Sequence, residues 1–182
     1  LKQSITVQLP AVANDLCGAS RPGHFAGVAT VVLKLFNLVQ PQMAVFGKKD
    51  YQQLFIIREM VKQLNLAITI LAADTVREPS GLAMSSRNGY LSSAEKAQAS
   101  QLRAELVSLS EQIKQQGRRA NFLSLEQAAI LKLEQQGGRV DYVAIRAASN
   151  LQAASADDTD VVILAAAKLG TTRLIDNLSL KI

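Results

Sequence analysis

The sequence predicts an α/β protein in which part of a parallel sheet is followed by a small α+β unit with a short antiparallel sheet. Between residues 43 and 72, two short apolar runs flank a segment of helical periodicity, and a strand, a helix and a strand in about 30 residues are typical of a βαβ unit. From residue 92 onward, two helical segments precede three strand-like runs, which is the order of an α+β unit.

Composition excludes several classes of protein. With 48% hydrophobic and 19% charged residues in 182, the chain is globular rather than disordered. The single cysteine, Cys17, forms no internal disulfide, which favours a reducing, cytoplasmic location. The single histidine, His24, excludes a two-histidine zinc site within the chain. The net charge of +5 suits an anionic ligand, but the absence of Trp argues against a stacking platform for nucleic acid. No apolar run approaches the roughly 18 residues of a membrane span.

The N-terminal segment predicts a strand, a loop and a helix. Residues 5–9 alternate apolar and polar, as in a short strand whose edge is a candidate dimer surface. Residues 14–27 are rich in Gly, Asn, Asp and Pro and predict a loop. Apolar residues at helical spacing then predict one buried stripe, ended by Pro41: Val28, Val31, Val32, Leu35, Phe36 and Val39.

The βαβ unit follows. Residues 43–46 predict a buried strand, and Asp50 is a candidate cap for the next helix. The buried stripe of that helix, closed by Asn65, is Leu54, Ile57, Val61 and Leu64. Residues 68–72 predict the second strand, parallel to the first. Ligands of such sheets bind beyond the carboxyl ends of the strands, which is where residues 47–50 lie.

A domain boundary is expected near residues 74–76, giving domains 1–75 and 76–182. Residues 75–91 predict an irregular segment. Ser92 with Glu95, and Ser124 with Gln127, predict capping boxes that open two helices. The first helix ends at Gly117, with a buried stripe of Leu102, Leu106, Leu109 and Ile113. Three strands are predicted at residues 140–145, 160–167 and 173–180.

The strand-end loop, residues 47–50, is a candidate phosphate site. A lysine where a helix begins lies beside free N–H groups and the positive end of the helix dipole. Gly47 permits close approach of a ligand, and Gln53 follows Lys49 by one turn on the same side of the helix. The alternative interpretation is a solvated Lys48–Lys49 pair with Asp50 as an ordinary cap.

A second candidate is the Ser-Ser-Arg loop, residues 84–88. Its two hydroxyls and one guanidinium, between Gly and Pro residues, can bind phosphate oxygens. The alternative interpretation is a surface loop with a helix cap. His24 is a candidate base, with a structural role as the alternative.

Together, a lysine loop at a strand end and a Ser-Ser-Arg loop at a domain junction resemble the nucleotidyl-transferring superfamily that includes class I aminoacyl-tRNA synthetases. More closely, the chain resembles the pantothenate synthetase (pantoate–β-alanine ligase) family. The resemblance is collinear over nearly the whole chain and is carried by RPGHFAGV (21–28), TVVLKLFNLV (30–39), GKKDYQQ (47–53), GLAMSSRNGYL (81–91), DYVAIR (141–146) and LGTTRLIDN (169–177).

The resemblance implies the C-terminal part of a Rossmann-like parallel sheet followed by a small lid domain. It implies an ATP-dependent ligase that condenses pantoate with β-alanine through a pantoyl adenylate, releasing AMP and pyrophosphate. ATP and Mg²⁺, a homodimer, and neither nucleic-acid nor membrane partners are the corresponding expectations.

The resemblance also assigns roles to residues of both loops. Gly47, Lys48, Lys49 and Asp50 are expected to contact ATP, with Lys49 on the phosphates and Asp50 toward the ribose or adenosine. Gln53 is expected to bind pantoate. Outside the two loops, Val76 is expected to contact adenine through its backbone. The residues of the second loop that are expected to cover the triphosphate are Met84, Ser85, Ser86 and Arg87. Lys49, Ser85, Ser86 and Arg87 are the expected catalytic residues, and no metal ligand from the protein is expected.

Two departures from the family stand out. Glu is usual where Lys48 stands, which makes this loop more positive. The His-x-Gly-His motif of the family is absent, and His24 belongs to a different family motif. The sequence is therefore expected to be the C-terminal two-thirds of such an enzyme and to be inactive alone. The alternatives are another adenylate-forming nucleotidyltransferase, such as a tRNA synthetase fragment, and a non-catalytic assembly fragment.

Overall fold

A computed structural model describes residues 3–182, so only the first two residues of the predicted N-terminal domain lie outside the described part. The chain divides into two compact units, Leu1–Asp74 and Thr75–Ile182, and each is described here by itself. The fold is the α/β architecture that the sequence predicts: a parallel strand pair with helices in the first unit, and a three-stranded antiparallel sheet with helices in the second.

The first unit is built around a βαβ arrangement. A 3-10 turn (Ala11–Asn14) and a short helix α1 (Cys17–Ser20) precede helix α2 (His24–Val39). Strand β1 (Met43–Gly47), a 3-10 turn (Lys48–Asp50), helix α3 (Tyr51–Gln63) and strand β2 (Thr69–Ala73) follow. The two strands are parallel, with Gly47 opposite Ala73, which confirms the predicted pairing and brings both carboxyl ends to one edge.

The core of the first unit lies between one face of the strand pair and helices α2 and α3. Ala29 and Ile57 are fully buried, and Phe36 contacts Phe46 edge to face. Three members of the predicted α3 stripe are buried, whereas Leu64 is 49% exposed because the helix ends at Gln63. Alternate residues of both strands, Val45 and Leu71 among them, point away from this core and are exposed.

Three expectations for the N-terminal segment were wrong. Residues 5–9 do not form a strand: the N–H of Val7 donates to Thr30 Oγ1 at 2.9 Å rather than to a neighbouring strand. Residues 14–27 are not all loop, because α1 lies there and α2 already begins at His24. The α2 stripe is only partly buried. Val31, Leu35 and Val39 are more than half exposed, because the helix packs through Phe36 of the stripe together with Phe25 and Ala29, which lie outside it.

The second unit begins with a short antiparallel hairpin, residues 76–84, and a 3-10 turn (Ser86–Tyr90). Helix α4 (Ser93–Gln116), a 3-10 turn (Gly117–Arg119) and helix α5 (Phe122–Gln135) come next. Strands β3 (Arg139–Ala147), β4 (Asp160–Leu169) and β5 (Thr172–Lys181) form an antiparallel sheet in that order. The predicted strands are thus present, each longer than expected.

Helices α4 and α5 pack on the sheet and enclose the larger core. All four predicted α4 stripe residues are buried, and the continuous apolar run of β4 is explained by its central position, where Val161 and Ile163 are fully buried. The Ser92–Glu95 capping box is confirmed. The second predicted box was wrong. Asn121 caps α5 by accepting the N–H of Ser124 at 3.1 Å, so the helix begins at Phe122, earlier than a cap at Ser124 would place it.

Candidate functional site

The strand-end loop lies where the parallel strands end and α3 begins. Gly47 is the last residue of β1, and the 3-10 turn Lys48–Asp50 leads directly into Tyr51, the first residue of α3. The first N–H groups of α3 and the positive end of its dipole therefore lie at the carboxyl edge of the strands. This local geometry is suited to a phosphate group.

Lys48 joins the two strand ends. Its Nζ lies 2.5 Å from Asp74 Oδ1, and Asp74 immediately follows β2. The hydrogen bond from Lys48, followed by its charge, lowers the pKa of the Asp74 carboxyl. The Lys48 charge is thus balanced by this carboxylate at the ends of the two strands.

Asp50 and Gly47 both leave room for a ligand. Asp50 stands at the cap position of α3, but its side chain accepts no capping hydrogen bond and is exposed, so it does not serve as the predicted cap. Gly47 has an ordinary φ of −72°, and a Cβ placed there would meet nothing within 4 Å. Nothing in the described protein therefore requires glycine at this position, which fits close approach by a ligand.

Adjacent glutamines of α3 differ sharply in environment. Gln52 is buried: its Nε2 donates to the carbonyls of Val12 and Asp15, both at 2.8 Å, and its Oε1 accepts the N–H of Cys17 at 3.1 Å. Gln53, the predicted pantoate ligand, is half-buried beside it. Sequence reasoning missed the role of Gln52 in holding the 12–17 segment, since nothing in the pattern separates the two amides.

In the second unit, the 76–84 hairpin carries two of the predicted ATP contacts. The N–H of Met84 donates to the carbonyl of Val76 at 2.9 Å, so the two residues are cross-strand neighbours. Both side chains are exposed, at 67% for Val76 and 54% for Met84. The fold thus brings together two residues that are eight positions apart in the sequence.

The Ser-Ser-Arg loop leaves the hairpin and enters the 3-10 turn. Ser85 caps this turn, because its Oγ accepts the N–H of Arg87 at 3.2 Å. The hydroxyl hydrogen is still available as a donor. Ser86 and Arg87 are exposed, and Arg87 has no ion-pair partner among residues 3–182. The loop therefore presents one guanidinium and two hydroxyls to an approaching anion.

His24 is the first residue of α2, with its Nε2 3.0 Å from Arg21 Nη1 and its ring against Phe25. These contacts fit the structural interpretation of this histidine.

Within residues 3–182, no cluster of three His, Cys, Asp or Glu side chains could hold a metal ion. Over the same residues, no helix combines the length and the apolar character that crossing a membrane requires. Each unit has one loop that is suited to bind an anion: residues 47–50 in the first unit and residues 84–88 in the second.

Comparison with known proteins identifies close relatives. Residues 2–179 match the family model described as pantoate-beta-alanine ligase. The chain is 61% identical over 177 residues to a pantothenate synthetase from Thiobacillus denitrificans, an alignment that covers 97% of the chain and 62% of that protein. The chain thus spans about three-fifths of the length of the curated relatives that it matches.

Solved structures of pantothenate synthetases are also similar to this chain. A pantothenate synthetase from Thermus thermophilus is 40% identical with a TM-score of 0.87, covering 96% of the chain and 63% of that protein. A pantoate-β-alanine ligase from Francisella tularensis, described as complexed with β-γ ATP and β-alanine, is 31% identical with a TM-score of 0.71, covering 96% of the chain and 57% of that protein.

Proposed function

Because the chain belongs to the pantoate-β-alanine ligase family, we propose that it takes part in the ATP-dependent condensation of pantoate with β-alanine to pantothenate. The observation that carries this proposal is the family match over residues 2–179, which includes both anion-suited loops. The alternative of a tRNA synthetase fragment would rest on the same two loops alone, whereas the family match extends over residues 2–179.

The proposed chemistry has two steps. A carboxylate oxygen of pantoate attacks the α-phosphorus of ATP, the bond from that phosphorus to the bridging oxygen breaks, and pyrophosphate leaves. The amine nitrogen of β-alanine then attacks the carbonyl carbon of the pantoyl adenylate. The carbon–oxygen bond to the phosphate breaks, AMP leaves, and the nitrogen loses its proton to solvent. Negative charge builds on phosphate oxygens in the first step, where fixed cations stabilise the transition state most.

The first unit is proposed to bind ATP and pantoate at the carboxyl edge of its strands. Lys49 and the free N–H groups at the start of α3 would hold phosphate oxygens, and Asp50 would face the ribose or adenosine. Gln53 would hydrogen-bond pantoate. Lys48 is proposed to act indirectly, by joining the strand ends through Asp74.

The second unit is proposed to act as a lid. The carbonyl of Val76 retains a lone pair after accepting from Met84, and it would accept a hydrogen bond from the adenine amino group. Ser85, Ser86 and Arg87 would stabilise the charge on the leaving pyrophosphate. Closure over the triphosphate would keep water from the adenylate.

Mg²⁺ is proposed to be bound mainly by the triphosphate. This fits the donor set, because the described residues offer no cluster of ligands for a resident ion, and Mg²⁺ commonly keeps waters and phosphate oxygens as ligands. When bound, it would neutralise phosphate charge. We further propose a cytoplasmic homodimer, as the family resemblance implies.

The decisive experiment measures pantothenate formation by the full-length protein that the complete reading frame encodes. With ATP, pantoate and β-alanine, we expect pantothenate, AMP and pyrophosphate in equal amounts. Omitting β-alanine should leave pantoate-dependent exchange of label between pyrophosphate and ATP, which is the signature of a reversible adenylation. ADP as the product, or exchange without pantoate, would contradict the proposed chemistry.

The same assay applied to the 182-residue chain tests whether it is inactive alone. We expect no pantothenate from the purified chain at concentrations at which the full-length protein turns over readily. Turnover by the chain itself would show that residues 1–182 are sufficient for catalysis.

A further inference from the structure

The 76–84 hairpin is tied to the antiparallel sheet by one buried ion pair. The guanidinium of Arg77 donates two hydrogen bonds to Asp176 on β5, from Nη1 to Oδ2 at 2.7 Å and from Nη2 to Oδ1 at 2.9 Å. The Asp176 side chain is 3% exposed and that of Arg77 is 23% exposed. Such a two-point contact fixes direction as well as distance.

Both partners of this ion pair are themselves fixed. Arg77 Nη1 also donates to the carbonyl of Gly81 at 3.0 Å, across the turn of the hairpin. On the sheet side, Asp176 Oδ1 accepts the N–H of Asn177 at 2.8 Å, and Asp176 pairs with Ala165 of β4. The ion pair therefore connects the turn of the hairpin to the centre of the sheet through rigid groups.

A second connection continues to the Ser-Ser-Arg loop. Asn88 is buried, and its Nδ2 donates to Glu78 Oε1 at 2.7 Å and to the carbonyl of Ala83 at 3.2 Å. Glu78 pairs with Leu82 across the hairpin. The residues before and after Ser85–Arg87 are thus both held against the same hairpin, and its position sets the position of the loop.

The charges around Asp176 make the arrangement sensitive to loss of the carboxylate. Arg103 of α4 reaches the carbonyl of Asn177 with Nη1 at 3.4 Å. Burial, followed by the charge of Arg77, lowers the pKa of Arg103, while Asp176 opposes that effect. Without Asp176, two guanidinium groups would face each other uncompensated, and Arg77 would be displaced together with the hairpin.

We propose that Arg77 and Asp176 are positioning residues for ATP, holding the Val76 carbonyl and the Ser-Ser-Arg loop in the geometry that adenylation needs. The inference rests on the proposed function. Neither residue touches the reacting atoms. A misplacement of about 1 Å far from the chemistry can reduce turnover by about 100-fold, so a rigid connection of this kind matters for rate.

The test compares Asp176→Asn with Asp141→Asn in the full-length protein. Asp141 is a matched control, because it pairs with Arg173 at 2.7 Å on the same sheet but has no hydrogen bond or ion pair with the hairpin. For Asp176→Asn we expect kcat/KM for ATP to fall by about 100-fold. The kcat/KM for β-alanine should change by less than about twofold, since β-alanine reacts only after ATP is consumed. Asp141→Asn should leave both constants near those of the unmodified protein.

Hydrogen exchange gives a second readout that does not depend on activity. The amides of Glu78 and Met84, which bond across the hairpin, should exchange about tenfold faster in Asp176→Asn than in Asp141→Asn. The exchange rates of β4 amides should be unchanged. This result would distinguish a displaced hairpin from an unfolded second unit. If Asp176→Asn does not fold, Arg77→Lys replaces it, because lysine keeps the charge but loses the two-point contact.

The outcomes separate the two proposals. An unmodified full-length protein that makes no pantothenate contradicts the proposed function. With an active unmodified protein, equal kinetic constants for Asp176→Asn and Asp141→Asn overturn the positioning role. So does a uniform loss across ATP and β-alanine, or an unchanged exchange rate at Glu78 and Met84.

Discussion

At the scale of single residues, the charge in the strand-end loop is divided between two lysines. Lys48 is balanced by Asp74, whereas Lys49 is the proposed phosphate ligand. In the full-length protein, Lys49→Ala should weaken ATP binding by about tenfold to 100-fold, because a hydrogen bond to a charged group contributes about 1.5–3 kcal/mol. Isothermal titration with ATP, in the presence and absence of pantoate, measures the change.

The control for this prediction is Lys62→Ala. Lys62 lies in the last turn of α3, far along the helix from the loop, and is exposed. The substitution removes the same charge, so a general effect of net charge on ATP affinity would appear in both variants. If Lys49→Ala and the unmodified protein bind ATP with equal affinity, Lys49 is not a phosphate ligand.

The paired glutamines allow stability and binding to be separated. Gln52→Ala should lower the free energy of unfolding by about 3 kcal/mol, since three hydrogen bonds of about 1 kcal/mol each are lost. Gln53→Ala should leave stability nearly unchanged and weaken pantoate binding. Urea unfolding and pantoate titration of both variants check this, and the opposite assignment of effects would refute it.

Roles of residues could be proposed from the sequence only where a motif carries them. The GKKDYQQ and MSSRN motifs identified the two loops, but the burial of Gln52 and the Arg77–Asp176 pair depend on contacts 35 to 99 positions apart in the chain. No local pattern encodes such contacts. The ion pair of Lys48 with Asp74 was likewise not predicted, because the two residues lie 26 positions apart.

At the scale of elements, helix α5 reaches the sheet through a partly buried carboxylate. Glu126 Oε1 accepts the N–H of Ile145 in β3 at 2.6 Å. Burial outweighs this hydrogen bond and the charge of Arg146, so the pKa of Glu126 is raised above its ordinary value of 4.5. The folded protein therefore holds the Glu126 proton more tightly than the unfolded chain does. As pH rises above 4.5 and the carboxyl loses this proton, the free energy of unfolding falls.

Glu126→Gln should therefore raise the melting temperature at pH 7, because the amide keeps an oxygen for the Ile145 N–H without burying a charge. The gain should shrink toward zero as pH falls below the ordinary pKa of the carboxyl. Thermal unfolding of the chain across this pH range measures it. Glu134→Gln, an exposed change on the same helix, controls for net charge. A gain that is equal at acid and neutral pH would contradict the linkage.

The ends of a helix were predicted correctly where only one capping signal is present in the sequence. The Ser92–Glu95 box and Gly117 fixed both ends of α4 correctly. At α5, Asn121 precedes Ser124 and accepts a hydrogen bond from its N–H, so the serine was misassigned as the cap. For residues 5–9, the alternation of apolar and polar residues gave a wrong prediction. A strand needs a neighbouring strand to accept its backbone hydrogen bonds, but the Val7 N–H donates to the Thr30 hydroxyl.

At the scale of the whole molecule, the two units differ in how fully they bury their apolar residues. The first unit leaves one face of its parallel strands exposed, with Met43 and Val45 both above 60%. The second unit encloses a core drawn entirely from residues 82–182, including Leu106, Leu109 and Ile163. Sequence periodicity predicted the second core well because α4 and β4 are long and their apolar patterns are unbroken.

The second unit should consequently fold without the first. We expect residues 75–182, produced alone, to unfold cooperatively on heating, with β4 amides as protected from hydrogen exchange as they are in the 182-residue chain. Leu106→Ala should destabilise the fragment and the chain equally, by about 3 kcal/mol, because the cavity would form in a core that residues 75–182 supply completely. A broad, non-cooperative transition, or protection of β4 that requires residues 1–74, would show that the second unit depends on the first for its fold.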